Sequence, residues 1–451
     1  MIAVLLAASV LSGCLELRLA GETDAAERCY LETINAAEEP LDVAAAYEAI
    51  GDRRAASEIY RVLLEQEPGS IEARLSWGNL FARVHQDGDA QTLYQEILDR
   101  EPDHFAARLA LARLYLDRFD GPSAALVGQL RAERPEAAGP MLIEVRLARE
   151  VADYEKADAL LVRLEALSAP PLEVQLESLA LRAASALLQA QPENPALDQL
   201  RENYPHYGGA DALAAHFHVI TRRYREAVAL LEAAVARDPE LWQAHSDLGQ
   251  NLLRLNRLAD ARRHLELAYE GDPYNAITVN TLRLLDTLEG FLSYREEYLL
   301  LRTPVAESAA LIPAVSALAA DAVESMAPRY GYVFEREMVI EMFEHHDDFA
   351  VRTAGLPGIG ILGAAFGDVV VMNGPSARSI SEGFDWASAL WHEMAHVVTL
   401  NATNNLVSRW FSEGVSVFEE WRYGPSQRRS LPLSFLQAWH EGKLLSVADL
   451  D

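Results

Sequence analysis

The sequence predicts a mainly α protein in which an α-solenoid of paired helices is followed by an α+β domain. Prolines recur at a spacing of 34 residues through roughly the first 270 residues, and amphipathic helical patterns fill the intervals. From about residue 303 the spacing stops and short apolar, strand-like runs appear. A chain of 451 residues, half of them hydrophobic, can form roughly three domain-sized units.

Composition excludes several classes of function. The chain has 39 basic and 68 acidic residues, a net charge of −29, which argues against binding nucleic-acid phosphates or anionic lipid surfaces. Its two cysteines, Cys14 and Cys29, are too few for a disulfide-rich scaffold or a multi-cysteine zinc site. We find no apolar run of the 18 or more residues that span a bilayer, so we expect no transmembrane helix.

The amino terminus has the character of an export signal. Residues 1–13 form an uncharged apolar run that ends in small residues before Cys14. The stretch Leu11-Ser12-Gly13-Cys14 resembles the bacterial lipobox. That resemblance implies that 1–13 is a signal peptide and that lipidated Cys14 is the first mature residue, in a lipid-anchored or periplasmic protein of a bacterial cell envelope. Cys29 would then have no intrachain partner and would be an inert thiol. No Lys or Arg precedes the run, so either the true start lies upstream or the segment is a buried amino-terminal helix.

The proline spacing defines an internal repeat. Glycines and alanines recur in register with it, including Gly78, Gly249, Ala261 and Ala268, as small residues do where two helices cross closely. Proline ends the second helix of each unit because it cannot donate a backbone hydrogen bond. Pro68 and Pro102 are 34 residues apart, and so are the successive members of a second group, Pro171, Pro205, Pro239 and Pro273, with Pro135 one residue off the series.

One unit carries a family resemblance. The segment Trp242-Gln-Ala-His-Ser-Asp-Leu-Gly249, followed by Leu252, Ala261, Leu265, Ala268 and Pro273, closely resembles the tetratricopeptide consensus. The resemblance implies about seven or eight helix pairs over residues 30–300, stacked into a superhelix whose concave groove binds a protein or peptide partner. A generic helical bundle is the alternative, and the regular register disfavours it.

Residues 303–451 form a second domain, in which we expect helices and strands together. Two short motifs in it carry no chemistry in our interpretation. Gly358, Gly360 and Gly363 spell G-x-G-x-x-G, but a strand follows them where a dinucleotide loop needs a helix. Adjacent side chains diverge, so the run His345–Asp348 is a solvated loop and not a metal site.

The expected elements are a helix over Glu307–Met326, a strand within Val333–Phe343, a short helix from Phe349 to Thr353, a turn over Gly355–Gly363 and a strand over Asp368–Met372.

The segment Phe384–Leu400 carries the chemistry. Its apolar residues recur at helical spacing and Asp385 can cap the helix. His392 and His396 are four residues apart, so both imidazoles project from one face and can bind one metal ion. Glu393 lies beside that face, where it can reach a water without ligating the metal.

A second amphipathic helix supplies the third ligand. In Trp410–Trp421 we expect Trp410, Gly414, Val417 and Trp421 to form one buried face, with Glu413 beside it. A carboxylate there is costly unless it is paired or binds a metal. The polar turn Asn401–Ser408 would fold this helix back against the first. His392, His396 and Glu413 would thus complete the ligands of a catalytic zinc site. The alternative is that the histidines are ordinary surface residues and that Glu413 pairs with Arg409.

The segment Trp391–Trp421 resembles the gluzincin metallopeptidases, in particular the peptidase MA-like proteins that carry tetratricopeptide repeats. The resemblance extends to Asp348–Pro357 and to the strand that ends at Met372. It implies that His392, His396 and Glu413 bind Zn²⁺, that Glu393 is the general base, and that the strand Asp368–Met372 is an edge that pairs with an extended peptide substrate. The matching positions are Trp391, His392, Glu393, Ala395, His396, Trp410, Phe411, Glu413 and Gly414.

The sequence departs from that family after Glu413. Gluzincins carry a downstream Tyr or His that stabilises the oxyanion, on a further helical subdomain. The candidates here are Tyr423 and His440, and neither lies in a recognisable motif. With only 38 residues after Glu413, we expect the chain to be a fragment.

Three functions follow as hypotheses. The first is an exported or membrane-tethered zinc metallopeptidase whose repeats recruit a substrate or partner protein. The second is a non-catalytic adaptor with a structural or vestigial zinc domain. The third is a zinc hydrolase that acts on a non-peptide amide of the cell envelope. We expect the first.

Overall fold

Helix follows helix through the first two thirds of the chain, and a sheet then forms, which confirms the prediction of a mainly helical protein. The computed structural model describes residues 11–37, 39–117, 122–168, 170–191, 193–334, 336–377, 384–424, 433–444 and 446. The chain divides into two compact units, Met1–Ile220 with Glu226–Ala244, and Thr221–Arg225 with His245–Asp451.

Consecutive helices of the first unit pack in antiparallel pairs, and the register prolines follow the second helix of a pair, as predicted. Pro68, for example, follows α4 and Pro102 follows α6. The helices are α1 (Ser12–Leu19), α2 (Thr23–Ala36), α3 (Pro40–Ala49), α4 (Arg53–Gln66), α5 (Ile71–Arg83), α6 (Asp87–Leu98), α7 (Phe105–Asp117), α8 (Pro122–Glu133), α9 (Ala138–Glu150), α10 (Tyr154–Glu165), α11 (Leu172–Leu188), α12 (Pro195–Asn203), α13 (Gly209–Ile220) and α14 (Tyr224–Arg237).

Small residues bring the paired helices together, as the repeat register predicts. On α5, a Cβ atom at Gly78 would lie 2.6 Å from the Tyr94 ring of α6, so only glycine permits this approach. Ala90 of α6 is fully buried in the same core. The helical array begins at α1, ahead of the predicted start at residue 30.

The amino-terminal cysteines form a disulfide, which corrects our expectation for them. Cys14 lies on α1 and Cys29 on α2, with their Cα atoms 5.5 Å apart and the sulfurs bonded. Cys29 therefore has an intrachain partner and is not an inert thiol. A sulfur in a disulfide cannot also form the thioether bond of a lipid anchor, so the two states of Cys14 exclude each other. Residues 1–10 of the predicted signal lie outside the described residues.

The second unit contains a five-stranded mixed sheet with helices around it. The sheet begins at Phe291, ahead of the predicted boundary at 300–303. Its elements are α15 (Trp242–Arg254, which spans the division between units), α16 (Leu258–Gly271), α17 (Ala276–Glu289), β1 (Phe291–Glu296), β2 (Leu299–Pro304), α18 (Val305–Tyr330), β3 (Met338–Phe343), α19 (His346–Ala354), β4 (Gly363–Phe366), β5 (Val369–Asn373), a 3₁₀ turn (Pro375–Ala377), α20 (Trp386–Ala402), α21 (Arg409–Tyr423) and α22 (Leu433–His440).

Strand order corrects one predicted role. The order is β1-β2-β3-β5-β4, with β2–β3 and β3–β5 parallel and the outer pairs antiparallel. The strand predicted over Asp368–Met372 is β5, and it is paired on both sides. It is therefore not an edge, and β4 takes that position at this end of the sheet.

Helices cover both faces of the sheet, so its central strands are buried except at Arg302 of β2. On one face, α18 and α20 form a core with strand residues such as Leu301, Ile340 and Met372. On the other face, α19 places buried Arg352 with its Nε 2.6 Å from Glu341 Oε2 of β3. A buried charge of this kind is tolerated because it is paired.

Helix α18 is the one helix among the described residues that is long and apolar enough, by length and composition, to cross a membrane. The sequence prediction that no such run exists is therefore wrong. Leu311, Val315, Ala319 and Met326 of this helix are buried in the sheet core. Core helices of this kind meet the same length and composition test.

Candidate functional site

Helix α20 begins where the sequence predicts and positions the first two candidate ligands. The Asp385 carboxylate accepts hydrogen bonds from the backbone N–H groups of Ala387 and Ser388 at 3.0 and 3.2 Å, which confirms the predicted cap. One turn separates His392 from His396, and their rings lie with centroids 4.9 Å apart. Both imidazoles therefore face the same side of the helix.

The chain then reverses so that α21 packs against α20. Asn404 and Asn405 adopt left-handed backbone conformations with φ of 50° and 58°, which asparagine tolerates better than most residues. This reversal lies in the polar turn that the sequence predicts, and it brings Glu413 of α21 opposite the two histidines.

Three predicted ligand side chains meet at one point. Glu413 Oε2 lies 3.5 Å from His392 Nε2 and 3.4 Å from His396 Nε2. The three ligand atoms lie within 4.8 Å of one another, so the group could hold a single metal ion. Within the described part of the chain, no other group of three His, Cys, Asp or Glu side chains meets this condition.

Burial and the electrostatic interactions among these three groups shift their pKa values. The imidazoles of His392 and His396, placed to donate to its carboxylate, hold the pKa of Glu413 well below its usual range. Burial lowers the pKa of His396. Burial acts in the same direction on His392, but the approach of Glu413 and the charge of Glu393 outweigh it and raise the pKa of His392. The carboxylate is thus ionised, as a metal ligand must be.

Each histidine is oriented through its other ring nitrogen. His396 Nδ1 lies 2.8 Å from Ser412 Oγ. His392 Nδ1 lies 3.4 Å from Glu420 Oε2, and Ser388 Oγ donates a hydrogen bond to Glu420 Oε1 at 3.2 Å. Because Nδ1 of each ring has a partner, the ring is held so that its Nε2 atom faces the position that a metal ion would occupy.

The buried face of α21 differs from the predicted one. The residues that it buries are Ser412, Ser416, Glu419 and Glu420, whereas Trp410, Val417 and Trp421 are only partly buried and Gly414 is exposed. The prediction of a buried tryptophan stripe is therefore wrong. The serines and acids recur at helical spacing, and that polar period was the signal that sequence reasoning missed.

Glu419 shows why this polar face can be buried. Arg329 Nη1 donates to both of its carboxylate oxygens, at 2.7 and 2.6 Å, and Tyr330 Oη donates at 2.6 Å. Both partners lie at the end of α18, which packs against α20. The Glu419 carboxylate is thus satisfied, and it anchors the helix that carries Glu413.

Glu393 is buried beside the ligand group, next to strand β4. Burial raises the pKa of its carboxyl to about 7. Its side chain lies against Gly363, where a Cβ atom would be 2.8 Å from Glu393 Cγ and Oε1. Strand β4 therefore runs directly past this carboxyl. A carboxyl with a pKa near neutrality can both accept and donate a proton.

The remaining predicted residues lie elsewhere. Tyr423 stacks on Trp391, with ring centroids 4.5 Å apart, and His440 is exposed on α22. The expected solvated loop at His345–Asp348 is partly wrong, because His346 begins α19. Its ring nitrogens lie 3.0 Å from Asn373 Oδ1 and 2.7 Å from the Ile359 carbonyl, so it holds the glycine-rich turn in place.

That turn, 355–362, leads into β4 and not into a helix, in agreement with the predicted turn. Gly358 has φ of +87°, a conformation that favours glycine. The G-x-G-x-x-G spacing therefore reflects the entry into an edge strand.

Comparison with known proteins identifies the repeats. A tetratricopeptide repeat profile matches residues 75–140 and 218–276. No curated protein matches the chain. The profile match ends before the ligand residues.

Three solved structures are among those similar to the chain. The Cut9–Hcn1 hetero-tetramer of the APC/C is 12% identical, with 62% of this chain and 56% of that chain covered and a TM-score of 0.36. This chain thus spans just over half of that relative. The human IFIT1 dimer with m7Gppp-AAAA is 12% identical, with coverage of 91% and 90% and a TM-score of 0.38. A thermophilic TPR protein of Thermus thermophilus is 15% identical, with coverage of 55% and 98% and a TM-score of 0.23. From the profile match and the helix pairs together, the chain contains tetratricopeptide repeats.

Proposed function

We propose that this protein is a zinc-dependent metallopeptidase. The observation that carries the proposal is the convergence of His392 Nε2, His396 Nε2 and the Glu413 carboxylate, with Glu393 buried beside them. Two histidines and a carboxylate that leave room for water form the ligand set of catalytic zinc sites.

Two of the three distances between the donor atoms fit a zinc site. Tetrahedral Zn–N and Zn–O bonds of about 2.0–2.2 Å require neighbouring donors to lie about 3.3–3.5 Å apart. The two distances from Glu413 Oε2 to the histidine Nε2 atoms are 3.5 and 3.4 Å. The donor set, two imidazole nitrogens and one carboxylate oxygen, also suits zinc better than calcium or magnesium, which take oxygen ligands.

Glu393 supplies the proton chemistry. When bound, a zinc ion would act as a Lewis acid that polarises a carbonyl and makes water acidic near neutral pH. The Glu393 carboxylate takes the proton from the attacking water, and its carboxylic acid then passes that proton to the departing amine. Burial supports this role because it keeps the pKa of Glu393 at about 7.

Strand β4 supplies a backbone for substrate binding. It is the terminal strand of the described sheet at this end and runs past Glu393 at Gly363. An extended peptide that pairs with its free edge would lie alongside the carboxyl. This role passes from β5, which is internal, to β4.

The tetratricopeptide repeats would recruit the substrate or a partner protein. Tetratricopeptide arrays bind proteins and peptides on their surfaces, and the profile match supports a protein partner for this chain. We propose that the repeats bind the substrate or a partner protein. The acidic net charge of −29 disfavours nucleic acid as that partner.

The location that we propose is the cell envelope of a bacterium, as an exported protein. The Cys14–Cys29 disulfide supports it, since disulfides persist in oxidising compartments and are rare in the cytosol. A lipid anchor at Cys14 is compatible only with a form in which this disulfide is absent.

Two measurements test the function. The first is the zinc content per chain, measured by inductively coupled plasma mass spectrometry for the wild type and for His396→Ala. The control is His440→Ala, which changes an exposed histidine. We expect near-unit zinc in the wild type and the control, and loss in His396→Ala. Folded protein that takes up no zinc would contradict the proposal.

The second is hydrolysis of casein and of a quenched peptide library. Glu393→Gln should retain zinc and lose about 10²-fold or more of the rate, since it removes the general base. Zinc binding without peptide turnover in the wild type would favour the adaptor. Turnover of amides but not of peptides would favour the envelope hydrolase.

A further inference from the structure

A turn far from the ligand helices in sequence belongs to the same compact unit as the site. Residues Thr221–Arg225, which join α13 to the first residues of α14, are part of the second unit. Within this turn, Arg222 Nη2 lies 3.8 Å from Glu413 Oε1, and the Arg222 side chain is 24% exposed. This distance exceeds a hydrogen bond. The guanidinium therefore forms an ion pair with the ligand carboxylate but no hydrogen bond.

Contacts with the β4–β5 hairpin hold this turn in place. Arg225 Nη2 lies 3.0 Å from Asp368 Oδ2, and the Tyr224 ring meets the Phe366 ring edge-on with centroids 5.7 Å apart. The guanidinium of Arg254 lies over both rings, at 5.2 and 5.3 Å. Phe366 ends β4, the strand that runs past Glu393. The turn is thus packed against the end of the edge strand β4.

Arg222 adopts a backbone conformation that is uncommon for its residue type. Its φ is +60°, in the left-handed region. A similar left-handed φ recurs in the turns of other helix pairs, so it belongs to the repeat fold; it occurs at His85, Ala152, Ala190 and Asn256. The contacts of the flanking Tyr224 and Arg225 then place the Arg222 side chain beside the ligand group.

The positive charge of Arg222 acts on more than one group of the site. Burial raises the pKa of Glu393 and lowers that of His396, and the charge of Arg222, which lies near Glu413, opposes the first shift and adds to the second. A guanidinium stays charged at all working pH values. The site therefore contains a permanent cation next to its ligand carboxylate Glu413, supplied from a residue outside α20 and α21.

We propose that Arg222 stabilises the negative charge that develops on the scissile carbonyl oxygen during peptide hydrolysis. This inference rests on the proposed peptidase function. Water adds to the carbonyl carbon, the C=O π pair moves to the oxygen, and Glu393 takes the water's proton. The pair then returns, the C–N bond breaks, and the amine takes the proton from Glu393. The Arg222 guanidinium binds the oxygen while it carries the charge.

Arg222 thereby fills the role for which Tyr423 and His440 are the sequence candidates. The Tyr423 ring is stacked on Trp391, and His440 is exposed on α22. Among the described residues, Arg222 is the cation whose contact with the ligand group the structure records. A single donor of this kind typically contributes about 10²- to 10³-fold to kcat.

The test compares Arg222→Gln and Arg222→Lys with Arg223→Gln, a control in the same turn. Zinc per chain, kcat and KM on a quenched peptide, and the Kd of a phosphinic peptide are measured on zinc-loaded protein. The phosphinic group imitates the charged tetrahedral carbon. We expect Arg222→Gln to keep its zinc and its KM within about threefold, and to lose roughly 100-fold in kcat and in phosphinic-peptide affinity. Arg222→Lys should recover part of both losses, and Arg223→Gln should match the wild type.

Three results would overturn the inference. Unchanged kcat and Kd in Arg222→Gln would show that the charge is not used. Loss of zinc would show that Arg222 only supports Glu413. If Arg222→Gln raised only the KM, and did so for peptides with a free carboxyl terminus but not for carboxyl-amidated peptides, Arg222 would instead bind a substrate carboxylate. The wild type shows separately whether the peptidase proposal itself fails. In that case the wild type would bind zinc but would neither hydrolyse peptides nor bind the phosphinic peptide, and this would contradict the inference as well.

Discussion

The Glu393 side chain lies directly against the backbone of Gly363, the first residue of strand β4. A Cβ atom at position 363 would be 2.8 Å from Glu393 Cγ and Oε1, closer than such atoms approach in proteins. The proposed general base is therefore positioned by the absence of a side chain on the neighbouring strand. This relationship joins the edge of the sheet to the chemistry on α20.

We expect Gly363→Ala to push Glu393 out of position and lower peptide hydrolysis roughly 10- to 100-fold, because small displacements of catalytic groups are costly. Zinc content should not change, since Glu393 is not a ligand. The matched control is Gly360→Ala, which lies in the same segment with no atom within 4 Å of the added Cβ. Equal rates for the two variants would contradict the positioning role of Gly363.

Ser412→Ala should weaken zinc binding about 10- to 100-fold, because the serine is the Nδ1 partner that orients His396. The measurement is the zinc Kd in competition with a chromogenic chelator. Ser416→Ala is the control, since Ser416 is buried on the same helix and its Oγ has no hydrogen-bond partner. If both variants bind zinc as tightly as the wild type, Ser412 does not orient the ligand.

Gly78→Ala should destabilise the repeats by about 1–3 kcal/mol, because the added methyl group meets the buried Tyr94 ring. Gly128→Ala on α8 should instead stabilise by about 0.5–1 kcal/mol, since it has open space and alanine favours the helix. Urea unfolding followed by far-ultraviolet circular dichroism measures both. Destabilisation of similar size in the two variants would contradict the close crossing at Gly78.

Without reductant, the purified protein should show no reactive thiol, since Cys14 and Cys29 are bonded. Cys29→Ser should lower the free energy of unfolding by about 3 kcal/mol, because the bridge closes a loop with a sequence separation of 15. Thiol titration and urea unfolding check these values. An intact mass that includes lipid, together with one titratable thiol, would instead show that Cys14 is lipidated and Cys29 is free.

Local periodicities were readable from the sequence because the geometry of the helix itself determines them. The 34-residue proline register predicts the helix pairs, and the profile match and the structure confirm the repeats. The four-residue spacing of His392 and His396 places both rings on one face of any helix. The Asp385 cap and the turn before α21 are equally local.

Contacts between distant segments were decided only by the tertiary structure. Strand order made β4 the edge and β5 internal, since an apolar run does not reveal which neighbours it pairs with. The packing of α21 on α20 selected its polar face for burial, because Arg329 and Tyr330 pair with Glu419 and the histidines contact Ser412 and Glu420. The approach of Arg222 to Glu413 and of Cys14 to Cys29 likewise depends on how the chain folds back on itself. The sequence by itself thus determined the repeats and the two-histidine face of α20, whereas the tertiary structure decided which groups surround that face, because packing depends on contacts that no local spacing encodes.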